Sequence, residues 1–113
     1  FMEFRVQKGN KKAGRVTQYH QDAIRSLSDV IARAPNLPEI DQAYAIRGKS
    51  YEELGDKARA KKDYLILVKN FPDHPSTSPA YMSLAEFAIE DNQHKEALGY
   101  LKALEERPYD PLY

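Results

Sequence analysis

The chain has 113 residues, of which 42% are hydrophobic, and its 17 Lys/Arg are balanced by 17 Asp/Glu. This composition predicts one globular domain, and the apolar runs are shorter than the roughly 20 residues that a membrane-spanning helix needs. The charges are unevenly placed, since residues 1–36 hold 7 Lys/Arg and 3 Asp/Glu whereas residues 72–113 hold 3 and 8. This gradient argues against a uniformly basic nucleic-acid surface. We therefore expect neither a nucleic-acid partner nor membrane insertion by this chain.

The first two predicted elements are a lead-in and a long helix. Residues 1–10 alternate weakly between apolar and polar and end in Gly-Asn, which predicts an extended lead-in or the remnant of an upstream element. From residue 11 the apolar residues fall on one helical face until Pro35, which predicts an amphipathic helix over residues 11–34. Residues 11–113 are expected to form a single helical domain.

Four shorter helices are predicted to follow. Pro38 is expected in the first turn of the first of them, and Gly55 is expected to end it. Asp56 is the predicted N-cap of the next helix, and Ser78 that of the one after, with Pro79 at its first position. The predicted bounds are 37–54, 56–71, 78–90 and 93–106.

An alanine recurs at a fixed spacing of 37 residues, as Ala23, Ala60 and Ala97. Large apolar residues follow each alanine at four and seven residues, and these are Leu27, Val30, Tyr64, Leu67, Leu101 and Leu104. A period of roughly 20–50 residues is the signature of a solenoid, in which each unit buries its apolar face against the next. The chain is therefore predicted to be a repeat array.

The middle unit carries a family pattern. Tetratricopeptide repeats follow W-x2-L-G-x2-Y, then A-x3-F, then P. The corresponding residues are Tyr44, Arg47, Gly48, Tyr51, Ala60, Tyr64 and Pro72. A second, more degenerate unit runs through Tyr81, Leu84, Ala85, Ala88, Ala97 and Leu101. The chain thus resembles a tetratricopeptide repeat protein, which implies an all-α fold: a right-handed α-α superhelix of about two full hairpins with a leading helix.

The pattern also assigns packing roles. Gly48 and Ala60 are small where the two helices of a hairpin approach closely. The residues expected to fill the surrounding space are Tyr44, Tyr51, Tyr64 and Tyr81. Arg47 stands where the family has leucine, and we expect its aliphatic stem to pack while its charged head lies in water.

One loop narrows the resemblance. Residues 71–75, Phe-Pro-Asp-His-Pro, resemble the inter-repeat linker of tetratricopeptide proteins of the bacterial cell envelope: outer-membrane assembly lipoproteins, the Tol-associated periplasmic coordinator and gliding-motility proteins. The resemblance implies a periplasmic or outer-membrane-associated location. Residues 107–113 resemble the start of one more repeat, so we expect a fragment of a larger protein, with exposed end helices available for self-association.

The residues that could carry catalysis do not form a recognisable site. Gly9 and Gly14 have the spacing of a phosphate loop, but Arg15 and Val16 follow where Lys and Ser/Thr are needed. The nearby basic cluster favours solvated surface and, as a weaker alternative, a nucleic-acid contact; it consists of Lys8, Lys11, Lys12 and Arg15.

The sequence also gives little indication of a metal site or of a catalytic pair of carboxylates. The histidines lie in different units without metal-ligand spacing; they are His20, His74 and His94. Adjacent carboxylates point about 100° apart on a helix and cannot form a shared acid/base pair; these are Glu52-Glu53 and Glu105-Glu106. We predict no catalytic residue, no cofactor and no metal.

The resemblance implies a binding surface on the concave face, lined by the first helix of each hairpin. The outward-facing positions there are Gln42, Ala45, Lys49, Glu52, Glu53, Met82, Glu86, Ile89 and Glu90. This predicted groove is acidic, with apolar patches at Met82 and Ile89, which suits an amphipathic or basic peptide. Some tetratricopeptide co-chaperones grip a C-terminal carboxylate with Lys and Asn at such positions, but only Lys49 fits that clamp.

The predicted function is a non-catalytic scaffold that binds a protein or peptide segment through its concave face, in a bacterial envelope complex. Two alternatives stay open. In the first, the chain is a regulatory or targeting module attached to an enzyme that lies elsewhere in a longer protein. In the second, the groove residues are merely solvated helix faces.

Overall fold

The computed structural model describes the backbone of residues 2–107 and the side chains of residues 14–107. Within residues 2–107 it contains helices and connecting turns but no strand. The helices are α1 Met2–Arg33, α2 Ile40–Glu53, α3 Lys57–Asn70, α4 Thr77–Glu90 and α5 His94–Glu105. The all-α prediction is therefore confirmed. The predicted start of a further repeat falls largely on residues 108–113, outside the described residues.

Helix α1 is longer than predicted. It begins at Met2, so the expectation of an extended segment over residues 1–10 is wrong for residues 2–10. A single glycine inside a helix costs only about 1 kcal/mol relative to alanine, and the residues before Gly9 include the good helix formers Met, Glu, Arg, Gln and Lys. The weak alternation of apolar and polar residues over residues 1–10 therefore did not predict the helix.

Two helices begin at other residues than predicted. Helix α2 starts at Ile40, whose N–H donates to the Leu37 carbonyl at 3.1 Å, so Pro38 lies in a turn before the helix. Helix α4 starts at Thr77, not after a Ser78 N-cap, and Pro79 is its third residue. Proline is tolerated there because the first four N–H groups of a helix have no intrahelical acceptor.

The connection within each hairpin turns through one left-handed residue. Gly55 ends α2 with φ +81°, as predicted. Asn92 takes the equivalent place 37 residues later with φ 59°; asparagine tolerates this region better than most residues. Asp56 caps α3 by accepting from the Arg59 N–H at 3.1 Å, which confirms the predicted cap.

Each helix packs against the next one along the chain. The pairs α2/α3 and α4/α5 form hairpins, α1 lies on α2, and α3 lies on α4. The radius of gyration is 16.5 Å and the extents are 52 × 36 × 29 Å, against a radius of about 13 Å for a compact domain of this length. The core lies between α2, α3 and α4 and is formed by Ala45, Ala60, Tyr64, Leu67, Ala80, Leu84 and Phe87.

The close approach of α2 and α3 depends on Gly48. A Cβ at this position would lie 2.8 Å from Cε1 of the Tyr64 ring, closer than real Cβ contacts come. Ala60 is fully buried on the facing helix. The predicted packing roles of Gly48, Ala60 and Tyr64 are confirmed, while Tyr44, Tyr51 and Tyr81 are only half-buried.

Candidate protein-binding groove

Side chains link α2 to α4 at one level and to the loop before α4 at another. In the last turn of α2, Glu52 Oε1 accepts from the Tyr64 hydroxyl of α3 at 2.6 Å and from Ser83 Oγ of α4 at 3.1 Å. At the other level, His74 Nδ1 accepts from the Ser76 N–H at 2.9 Å, so its Nε2 donates to Gln42 Oε1 at 2.8 Å. These contacts hold α2 and α4 in fixed register and define a surface between them.

Seven of the nine predicted groove residues are exposed on α2 or α4. The exposed ones are Gln42, Lys49, Glu53, Met82, Glu86, Ile89 and Glu90, and Glu52 is half-buried. Ala45 is the exception, because it belongs to the buried core beside Ala60 and Tyr64. Its placement on the outside was wrong, since Ala45 faces the core that α2 shares with α3 and α4.

Two of the acidic side chains in the groove are neutralised by ion pairs. Lys49 Nζ lies 3.0 Å from Glu53 Oε1; this hydrogen bond raises the pKa of Lys49 and lowers that of Glu53. Lys57, at the start of α3, pairs with Glu90. Among the described side chains, Glu52 and Glu86 form no salt bridge. The groove therefore keeps an unbalanced negative charge.

Arg47 does not extend its head into water as expected. Its Nε and Nη2 donate to Asp63 Oδ2 at 2.8 Å and Oδ1 at 2.7 Å, and its Nη1 donates to Ser28 Oγ at 3.1 Å. The Arg47 side chain is 18% exposed and that of Asp63 only 2%. The hydrogen bond to Asp63 is the main cause that raises the pKa of Arg47.

This network ties α1, α2 and α3 together and has no counterpart in the family pattern. The guanidinium carbon also lies 5.7 Å from the ring centroid of Tyr44 and 5.8 Å from that of Tyr51, within the range of cation–π attraction. A signal existed in the sequence, because Asp63 falls on the same apolar face of α3 as Ala60 and Leu67. An acid and a base on facing apolar stripes indicate a buried pair.

A second concavity lies beside the groove, and we call it the α1/α2 pocket. It has a volume of about 220 Å³ and is open on one side. It is lined by Tyr19, His20, Gln42, Ala45, Ile46, Lys49, Ser50 and Ser76. His20 Nδ1 lies 3.2 Å from Ser50 Oγ, which fixes α1 against α2 at this point. Sequence reasoning missed the contributions of Tyr19, His20 and Ile46, because it did not place α1 at the edge of the groove.

The described residues contain no group of three or more His, Cys, Asp or Glu side chains placed to hold a metal ion. His20 contacts Ser50, and His74 contacts Gln42 and the Ser76 N–H. Within the same part of the chain, every helix is too short or too polar to span a bilayer. The side chains of Lys8, Lys11 and Lys12 lie outside the described residues.

Stacked helical hairpins at a 37-residue period, with small residues at the contact between paired helices, define an α-helical repeat protein. A family model described as a tetratricopeptide repeat matches residues 18–75 and again residues 46–111. The chain therefore belongs to the tetratricopeptide repeat family, whose members generally mediate protein–protein interactions. Comparisons with curated proteins and with solved structures returned no match.

Proposed function

We propose that this chain is a non-catalytic interaction module that binds a segment of a partner protein in the groove between α2 and α4. The observation that carries the proposal is the exposure of Met82 and Ile89, which are 43% and 50% exposed. They lie on α4, which presents Ser83 to Glu52 of α2. Apolar side chains grouped beside charged ones on a rigid surface are typical of a protein-binding site.

The energetics favour a groove of this kind. Fully burying a Met or Ile side chain gains about 1.5–3 kcal/mol relative to full exposure. Met82 and Ile89 are about half exposed, so covering them gains about 1 kcal/mol each, which contributes part of the affinity of a weak peptide complex. The hydrogen bonds from Ser83 to Glu52 and from His74, in the loop before α4, to Gln42 keep the surface preorganised, which lowers the entropy that binding must overcome.

We further propose a location in the bacterial cell envelope. The support is the resemblance of residues 71–75 to the linkers of envelope tetratricopeptide proteins; this segment connects α3 to α4. Fractionation of native cells with an antibody against the chain tests the location. Recovery with the periplasmic or outer-membrane fraction supports it, and recovery with the cytosol contradicts it.

The binding proposal is tested by capture from native lysate with the parent chain and two matched double variants. The groove variant combines Met82→Asp with Ile89→Asp. The control combines Leu65→Asp on α3 with Leu98→Asp on α5, which are also exposed apolar positions inside helices. A partner retained by the parent and the control but lost by the groove variant supports the proposal. Equal retention by the groove variant contradicts it, provided that all three proteins melt at similar temperatures.

A further inference from the structure

We propose that the segment bound in the groove is basic and amphipathic, that one bulky apolar side chain enters the α1/α2 pocket, and that a Lys or Arg pairs with Glu52 and Glu86. This inference rests on the proposed function and adds the chemistry and the orientation of the bound segment. Helix α1 thereby becomes part of the binding site.

The α1/α2 pocket has the size and the walls for a single side chain. Its volume of about 220 Å³ is below the roughly 300–1,000 Å³ of sites for small ligands. Ala45 is buried beneath it, while Tyr19 and Ile46 are exposed at its walls. An apolar side chain seated between the Tyr19 ring and Ile46 would remove both from water, which is the arrangement of an anchor residue in a peptide complex.

The charges around the pocket favour a basic segment. Lys49 is one of the residues that line the pocket, but its ammonium is already held by Glu53 at 3.0 Å and also lies near Glu52. Glu52 accepts hydrogen bonds only from the neutral hydroxyls of Tyr64 and Ser83 among the described residues. An acidic segment would therefore face carboxylates without a free cation, whereas a basic one supplies the missing counter-charge.

The register of the two helices gives the spacing of the two contacts. Ser83 lies at the level of Glu52, which is six residues beyond Ile46 on α2, and Glu86 is three residues further along α4. At a rise of 1.5 Å per residue, the pocket and Glu86 are about 13 Å apart along the helix axes. With a lateral offset of about 10 Å, the upper end of the range for neighbouring helices, an extended segment bridges the contacts with about five residues.

The test is selection of a random 12-residue peptide library, displayed on phage, against the intact chain. The selected peptides are expected to carry a Phe, Leu, Ile or Trp and a Lys or Arg four to six residues apart. Affinities of synthetic peptides are then measured by calorimetry. Ile46→Asp is expected to weaken binding at least tenfold, whereas Leu65→Asp on α3 is expected to change it less than twofold. The two residues are matched, since both are 36% exposed.

Charge swapping tests the orientation. Glu86→Lys is expected to weaken the parent peptide at least fivefold and to recover most of the loss when the peptide's basic residue is replaced by Glu. Glu105→Lys, an exposed change on α5, is the control. In peptides whose apolar residue is replaced by Ala, Ile46→Asp is expected to cause little further loss of affinity. In peptides whose basic residue is replaced, it is expected to cause its full loss.

The outcomes separate the inference from the function on which it rests. The inference is overturned, and the groove remains a binding site, if the selected peptides are acidic. The same holds if Ile46→Asp affects the contact of the peptide's basic residue and Glu86→Lys that of its apolar residue. Peptides that respond to Met82→Asp but not to Ile46→Asp likewise overturn the inference alone. A selection that enriches no peptide sensitive to any of these groove changes counts against both.

Discussion

The two hairpins differ in the residues at two equivalent positions between their paired helices, which are charged in the first hairpin and uncharged in the second. Positions 37 residues apart are structurally equivalent, so Arg47 and Asp63 of α2/α3 correspond to Leu84 and Tyr100 of α4/α5. In the first hairpin these positions hold a buried ion pair. In the second, Leu84 is fully buried and Tyr100 packs against the core. The repeat therefore requires this interior position to be filled and electrically balanced, and it accepts either an ion pair or an apolar pair.

The hairpins also differ in how they are covered. Tyr64 on α3 is 5% exposed, whereas its equivalent Leu101 on α5 is 38% exposed. Helix α4 lies over α3, and none of the described residues lies over α5 in the same way. The same sequence pattern thus yields a core in one unit and an open face in the other, because burial in a repeat array comes from the neighbour.

The largest expected effect comes from breaking the ion pair. Arg47→Leu leaves the Asp63 carboxylate buried without a counter-charge, which is expected to cost about 3–5 kcal/mol of the free energy of unfolding. The double variant Arg47→Leu with Asp63→Tyr installs the pair of the second hairpin and is expected to recover most of this loss. Denaturant unfolding measures both. A single variant within about 1 kcal/mol of the parent would show that Asp63 is balanced in another way.

A smaller effect is expected from crowding the contact between α2 and α3. Gly48→Leu forces a side chain against the Tyr64 ring, where even a Cβ would come within 2.8 Å, and is expected to cost about 1–3 kcal/mol. Gly99 of α5 is the matched control, since nothing lies within 4 Å of a Cβ built there. Gly99→Ala is expected to stabilise by about 0.5–1 kcal/mol through helix propensity. Similar thermal midpoints for both variants would contradict the close approach.

Alkaline pH is expected to weaken the fold through two tyrosines, the buried Tyr64 and the half-buried Tyr100. Burial, followed by the hydrogen bond to Glu96, raises the pKa of Tyr100 from 10.0 to about 12, and burial raises the pKa of Tyr64 as well. The folded chain holds these protons more tightly than the unfolded chain. The stabilisation is therefore complete below pH 10 and for Tyr100 is lost as the pH rises to about 12. Chemical unfolding at a series of pH values is expected to show this loss, and Tyr100→Phe to reduce it. An unchanged slope in that variant would assign the loss to other groups.

The smallest expected effect concerns the helix caps. Asp56 caps α3, whereas the equivalent Gln93 precedes α5 without a side-chain cap. Gln93→Asp is expected to stabilise by about 0.5–1 kcal/mol, because an Asp at this position can accept from the third N–H of the helix. The thermal midpoint measures the gain. Asp56→Gln makes the reverse change, and a rise in its midpoint would contradict the role of the cap.

The repeat made much of the fold predictable. The spacing of the alanines located both hairpins, and Gly48, Gly55 and Asp56 have local roles that depend only on neighbours in sequence or on the family pattern. Seven of the nine predicted groove positions are exposed for the same reason, although their role in binding stays a prediction. Ala45 is buried because it packs against residues of α3 and α4, and helical periodicity does not show which neighbouring helices cover a position.

The features that sequence reasoning missed depend on contacts between different helices. The Arg47–Asp63–Ser28 network joins residues 16 and 19 positions apart. The α1/α2 pocket exists because the side chains of Tyr19 and His20 meet α2. Periodicity shows which face of each helix is apolar. It does not show which helix faces meet or which residues lie opposite each other along the helix axes, and both the ion-pair network and the α1/α2 pocket depend on that alignment.

The open face of α5 has a consequence for the groove. A helix that its described neighbours cover from one side only is expected to exchange its amide hydrogens sooner than one covered from both. Helix α4 packs against α5, and Glu86 and Ile89 lie on α4, so fluctuations of α5 reach one wall of the groove. A molecule that covered Leu98 and Leu101 would reduce the fluctuations of α5 and α4. It would thereby increase the affinity of the groove for its ligand without contacting that ligand. The exposed face of α5 would then control the affinity of the groove from a distance.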